Sequence, residues 1–127
     1  MEKLNVKPAF TDHRGVIIDL LENESINAVT VITFTEGAVR ANHYHKQTTQ
    51  WNYLMSGAIK LLSQKPGEAV VETLMIPGDF VVTGPYVSHA LVALEESSVM
   101  VLTKGPRGGK EYESDTFRLE VPLTFRV

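Results

Sequence analysis

The sequence predicts an all-β protein, a sandwich or barrel of short strands, and three observations carry that expectation. Extended segments rich in β-branched and other apolar residues recur along the chain. Nearly every one is bounded by a glycine- or proline-containing breaker. No long stretch shows helical periodicity.

In chain order the predicted strands are Val16 to Leu21, Ala28 to Phe34, Trp51 to Met55, Ala58 to Leu62, Val70 to Ile76, Phe80 to Thr83, Ala90 to Leu94 and Val99 to Thr103. Each is dominated by Val, Ile, Leu, Phe, Tyr or Trp, which pack well on a pleated surface. The turns fall at Glu36-Gly37, Ser56-Gly57, Lys65-Pro66-Gly67, Pro77-Gly78, Gly84-Pro85 and Lys104-Gly105-Pro106. Glycine supplies the positive φ and proline the fixed φ that tight reversals need. Glu22 to Asn27 is long enough for one helical turn at most. The stretch from Arg107 to Asp115 is polar and glycine-containing, and no element is assigned to it.

The 127 residues are one domain's worth, so residues 1–127 are expected to share one core. The hydrophobic content of 43% and charged content of 21% are those of an ordinary globular protein. A formal net charge of -3 with mixed signs argues against nucleic acid as a partner. No apolar run approaches the ~20 residues that span a bilayer, and the first ten residues lack an apolar leader core, so a cytoplasmic protein is expected. The chain has no cysteine. Thiolate metal sites and thiol nucleophiles are therefore excluded, which leaves imidazole, carboxylate and amide as ligands.

Strand parity organises the histidines. Two of them separated by one residue, His43 and His45, share a face of a strand. If both point inward, Gln50 and Asn52 do too, and Trp51, Tyr53 and Met55 face outward. The polar stretch Lys46-Gln47-Thr48-Thr49 supplies the bend. An apolar outer face calls for a cover, either a second copy, giving a homodimer, or a terminal segment of the same chain. His89 follows the Gly84-Pro85 turn and opens another apolar strand, making it the next ligand candidate. His13, alone in a loop, is read as solvated.

The stretch from Gly37 to Gly57 is similar to the first motif of the cupin superfamily: Gly, five residues, His-x-His, four residues, an acidic ligand, six residues, Gly. Gly37, His43, His45 and Gly57 fall in register, and Gln50 stands where that family usually has Glu. Gly78 to His89 resembles the second motif, with Gly78 and His89 matched. Gly84 there replaces the usual Pro, Tyr86 the usual Gly, and Ala93 sits where Asn often follows. The resemblance implies a small single-domain cupin, a jelly-roll barrel or double-stranded β-helix. It also implies one divalent metal ion (Zn, Fe, Ni or Mn) on His43, His45, Gln50 and His89. An amide in place of a carboxylate leaves such an ion its full charge, which favours anionic ligands and Lewis-acid action on a carbonyl.

A further resemblance concerns chemistry. Asp12-His-Arg14-Gly15 resembles the Asp-x-Arg-Gly opening of cupins that epimerise or isomerise nucleotide-linked keto sugars, and Arg40-Ala-Asn-His43-Tyr-His45-Lys46 is similar to their Arg-Gly-x-His-x-His-Lys segment. Ala41 replaces the glycine of that pattern. The resemblance implies that Arg14 and Arg40 bind a small-molecule substrate through its diphosphate and that His43 is the base; Asn52, inward by parity, is a further candidate contact to the substrate. Tyr86 is the favoured proton donor to the enolate, ahead of Tyr112; parity disfavours Tyr53. A metal-bound His43 has no lone pair left for a proton, so the ligand and base roles exclude each other. A metal-dependent Fe(II) oxygenase and a non-catalytic small-molecule-binding cupin are the alternatives.

Overall fold

The computed structural model describes residues 3–106 and 109–125. Its strands are β1 (Lys3–Asn5), β2 (Phe10–Asp12), β3 (Gly15–Ile17), β4 (Ala28–Phe34), β5 (Val39–Tyr44) and β6 (Thr49–Ser56). They continue with β7 (Ile59–Gln64), β8 (Val71–Met75), β9 (Asp79–Thr83), β10 (Ser88–Ala93), β11 (Ser97–Lys104) and, after a short helix α1 (Gly109–Ser114), β12 (Phe117–Arg118). A 3-10 turn spans Leu123–Phe125. One five-stranded sheet runs β1-β9-β6-β11-β4 and the other β12-β5-β10-β7-β8, while β2 and β3 form a separate hairpin. Every pairing is antiparallel. This is the jelly-roll sandwich that the strand pattern and the motif resemblance predict.

Alternation builds the core. Phe34, Leu54, Val81, Val99 and Val101 project from the first sheet onto Ile59, Leu61, Met75, Leu91 and Ala93 of the second. Burial of that apolar surface is the main force holding the sheets together. The intervening residues face out. On the outside of the second sheet Leu62 and Ala90 are covered by Leu123 of the C-terminal turn, with Val70 and Leu119 beside them. The Gly57 backbone passes so close to Glu96 and Ser97 that an added Cβ would overlap both, and its φ is 92°. Only glycine fits there.

Two predicted elements need correction, and one unassigned stretch gains an element. Val16 to Leu21 was expected as one strand, but pairing stops at Ile17 because β3 meets only the short β2. The stretch Glu22 to Asn27 has no helical turn; Asn23 has a φ of 59° and breaks it. Within the unassigned polar stretch a helix forms over Gly109–Ser114, and Arg107 and Gly108 lie outside the described residues. Trp51 faces outward as parity requires, yet it is only 7% exposed. Leu4, Val6, Leu20 and Leu21 of the same chain share a groove with it, so a terminal segment supplies part of its cover. No helix among the described residues is long and apolar enough to cross a membrane.

Candidate active site inside the barrel

His43 and His89 sit directly opposite each other on β5 and β10. Their ring centroids are 4.8 Å apart at 90°, and His45 lies 4.8 Å from His43 and 5.6 Å from His89. One ligand atom from each of the three comes within 4.8 Å of the others. Facing strands and period-two alternation explain the convergence, but a distortion sharpens it. The register between β5 and β10 shifts between His89 and Ala90, leaving Asn42 unpaired as a bulge. Ala41 and Asn42 there take left-handed φ values of 76° and 57°. Such backbone costs a residue with a β-carbon about 1–2 kcal/mol, and bulges are devices for re-aiming a side chain. Asn42 is also the anchor of the C-terminal segment. Its side-chain oxygen accepts the Leu123 N–H (2.8 Å) and its carbonyl accepts the Leu119 N–H (3.0 Å).

Hydrogen bonds assign the ring nitrogens. His45 Nδ1 lies 2.8 Å from the Asp115 carbonyl oxygen, and His89 Nδ1 lies 3.0 Å from that of Val87. A carbonyl can only accept, so both Nδ1 atoms carry the proton. In the neutral rings, Nε2 is then the free lone pair. The Nε2 of His45 is buried with no hydrogen-bond partner among the described residues, a costly state that a ligand held among the three imidazoles would relieve. Burial, reinforced by the neighbouring His89, His45 and Arg118, pushes the His43 imidazole down to about 3. Burial likewise lowers His89 to about 4; the bond to Val87 opposes this and His45 adds to it. Both rings are neutral at neutral pH.

His43 and His89 line a cavity of about 230 Å³ with Gln50, Asn52, Arg40 and Tyr112. Ile32, Phe34, Leu91, Val99 and Val101 supply its apolar wall. Gln50 and Asn52 therefore face inward, as parity predicts. The Asn52 amide donates to the Val81 carbonyl (3.2 Å). Arg40 is exposed, donates to the Thr33 carbonyl (3.1 Å) and lies over the Phe34 ring, 5.3 Å from its centroid.

Two expected site residues do not reach this cavity. Arg14 sits on the β2–β3 hairpin, where Asp12 takes its guanidinium through Nε and Nη2 at 3.0 and 2.7 Å. The hairpin pairs with neither sheet, and Arg14 is not among the residues lining the cavity. Tyr86 is half exposed and borders a different hollow, beside Tyr44 on the outer face of the second sheet. Tyr112, from α1, lies in the cavity instead, its ring 5.3 Å from that of His45. His13 is exposed, as expected of a solvated loop residue.

Asp115 is a site residue that the sequence did not announce. Its carboxylate accepts from Lys46 N (3.0 Å), Gln47 N (3.1 Å) and Thr48 Oγ1 (2.7 Å), while its carbonyl holds His45. Burial pushes this carboxyl upward, but the bonds from Thr48, Lys46 and Gln47 outweigh it and the net shift is downward. A single acidic residue in a polar stretch carries no local signal of such a role.

Comparison with known proteins agrees with this architecture. QdtA, a sugar 3,4-ketoisomerase from Thermoanaerobacterium thermosaccharolyticum solved with TDP, superposes with a TM-score of 0.77 at 20% identity, over 94% of this chain and 88% of that one. A variant of it has been solved with TDP-4-keto-6-deoxyglucose. WlaRB, a TDP-quinovose 3,4-ketoisomerase from Campylobacter jejuni, gives 0.78 at 20% identity over 93% and 92%. The dTDP-4-dehydrorhamnose 3,5-epimerase of Sulfolobus tokodaii gives 0.70 at 16% over 84% and 70%. At these identities the likeness establishes the fold. No curated protein matches in sequence. The sequence signature of the cupin family matches residues 18–111, which span both histidine strands. The chain belongs to the cupin family.

Proposed function

We propose that this cupin isomerises or epimerises a keto sugar carried on a nucleoside diphosphate, by proton transfer next to the carbonyl. The observation that carries the reading is the convergence of three imidazoles within 4.8 Å of one another, of which the two neutral ones, His43 and His89, line a cavity that Arg40 borders. The TDP-sugar chemistry of the structural neighbours supports the same class.

Each residue has a part. His43 takes the proton through its unprotonated nitrogen. An incoming diphosphate brings negative charge, which offsets the positive surroundings of His43 and raises its basicity toward working pH. Tyr112 donates to the enolate oxygen, and the apolar wall excludes water and strengthens that bond. Arg40 grips phosphate with its planar fork. Asn52 contacts the sugar.

The orphaned Nε2 of His45 favours a second form of the same site. Three convergent imidazoles suit a divalent ion such as Zn, Fe, Ni or Mn, with Gln50 as a neutral fourth donor. Such an ion supplies Lewis acidity toward a carbonyl when bound. A coordinated His43 cannot also be the base, so the two forms are separable.

The chain is further read as a homodimer. Val29 and Val31, exposed on the outer face of the β4 edge of the first sheet, and Phe10, Val16 and Ile17, exposed on the hairpin, are apolar surface that a second copy would bury. Light scattering at micromolar concentration tests that point.

Incubation with TDP-4-keto-6-deoxyglucose in D₂O tests the reaction. Deuterium should enter next to the carbonyl, and exchange should cease in His43→Ala. Exchange that persists after chelation, in protein shown to be metal-free, assigns His43 as base; exchange that returns only with added metal assigns it as ligand. Neither binding nor exchange with any nucleotide-linked keto sugar overturns the proposal.

A further inference from the structure

Of the left-handed residues near the histidines, Tyr86 is the one whose side chain the fold does not explain. It occupies the third position of the turn Gly84-Pro85-Tyr86-Val87, closed by the Val87 N–H on the Gly84 carbonyl (3.3 Å), with a φ of 65°. That position of a proline turn favours glycine, because a β-carbon there is strained. The backbone has a clear purpose, since the Tyr86 N–H donates to the His45 carbonyl at 2.6 Å. Glycine would make the same bond without strain. The tyrosine ring therefore needs another reason, and a strained residue held in place is a pointer to function.

Burial does not supply that reason, because Tyr86 is 51% exposed. The ring lies nearly parallel to Tyr44, 6.4 Å between centroids at 23°. Tyr44 is itself nearly parallel to Phe117 (5.3 Å, 21°), and the Lys46 ammonium caps Phe117 at 4.3 Å. The result is a braced run of flat rings on the outer face of the second sheet, which is the side opposite the histidines. Beside it opens a hollow of about 330 Å³, bordered by Tyr44, Tyr86, Gln64, Lys65 and Ser88.

We propose that this hollow is a carbohydrate-binding site that seats one pyranose ring against Tyr86 and Tyr44. A sugar ring has an apolar C–H face that lies flat on an aromatic face, and a rim of hydroxyls that pairs with an amide, a hydroxyl and an ammonium at the edge. Gln64, Ser88 and Lys65 present those three groups. A purely apolar ligand would bury the Ser88 hydroxyl and the Lys65 ammonium with nothing to pair them, beside a Gln64 amide that donates to the Glu68 carbonyl (2.9 Å). An anionic ligand calls for paired or forked cations, and among the described residues Lys65 is the single cation bordering the hollow. The site is separate from the proposed reaction centre and stands or falls independently of it.

Saturation-transfer NMR with methyl pyranosides at millimolar concentration tests the proposal. Irradiating aromatic protons should saturate the sugar C–H protons in the parent protein and in His43→Ala. The effect should vanish in Tyr86→Gly, which should melt at or above the parent temperature because the turn strain is relieved. No transfer to any methyl pyranoside overturns the proposal. So does transfer that survives Tyr86→Gly but is lost in His43→Ala, which would place the sugar in the barrel. Transfer to thymidine alone through Tyr86 would also overturn it, in favour of a planar ring.

Discussion

The Nδ1 proton of His45 is held by the carbonyl oxygen of Asp115, seventy positions further along the chain, at 2.8 Å. The same aspartate spends its carboxylate on Lys46, Gln47 and Thr48, the residues immediately after that histidine. One residue thus fixes both the tautomer of an imidazole and the turn that carries it. Partners of this kind orient the groups that touch a ligand.

Removal of that carboxylate should be felt as lost stability. Asp115→Ala leaves the buried Thr48 hydroxyl and the part-buried Lys46 and Gln47 N–H groups without their carboxylate and is expected to cost about 2–4 kcal/mol, with Asp115→Asn costing less. Urea unfolding measures the loss. Nitrogen-15 spectra of His45 should show the Nδ1–H tautomer in the parent and a mixture in the alanine variant.

Acid should loosen the fold through the histidines before it reaches the carboxylates. His43 and His89 have folded values of about 3 and about 4, below the ordinary 6.5. Between those values and 6.5 the unfolded chain binds the protons and the folded chain does not, so stability falls as pH falls. The slope is at most about 1.4 kcal/mol per pH unit for each ring, and stability is flat above about pH 7.5. Asp79 and Asp115 are lowered in the fold and are lost only at still lower pH. Melting temperature against pH should show the first slope, and His43→Ala together with His89→Ala should flatten it.

Ala41→Gly should stabilise the protein. Relief of a β-carbon at a φ of 76° is worth about 1–2 kcal/mol, and the greater chain entropy of glycine returns about 0.5–1 kcal/mol of that. A net gain of about 0.5–1 kcal/mol raises the melting temperature by about 2–4 °C, which calorimetry resolves. An unchanged or lower value would mean that the bulge is not strained.

Kinetics should divide the cavity into groups that act and groups that hold. On a nucleotide-linked keto sugar, His43→Ala is expected to lower kcat by about 10²–10⁴. Arg40→Ala should act mainly on KM, by about 10–100-fold, the worth of a charge-assisted bond to phosphate. A fall in kcat with no change in KM for Arg40→Ala would remove it from phosphate binding.

The histidine constellation was legible because period two is a local rule. His43 and His45 share a face wherever the strand lies, Gln50 and Asn52 keep its phase, and a proline turn announces the strand of His89. The eight predicted strands overlap β3, β4 and β6 to β11 for the same reason. What stayed hidden depends on parts of the chain far apart. Asn42 bulges because the C-terminal segment binds both its side chain and its carbonyl. Asp115 meets His45 only after the sandwich closes, and α1 brings Tyr112 into the cavity that Tyr86 was expected to serve. Arg14 stands apart from the cavity lining, its guanidinium paired with Asp12, a contact that the spacing of the motif does not announce.

The anchoring of Leu119 and Leu123 to Asn42 makes the end of the chain answerable to its middle. A stop codon after Ser114 would strip the cover from Leu62 and Ala90 and leave the residue before His43 without its two outside ties. Frameshifts between the codons of Phe117 and Leu123 would be read out as a misaimed imidazole.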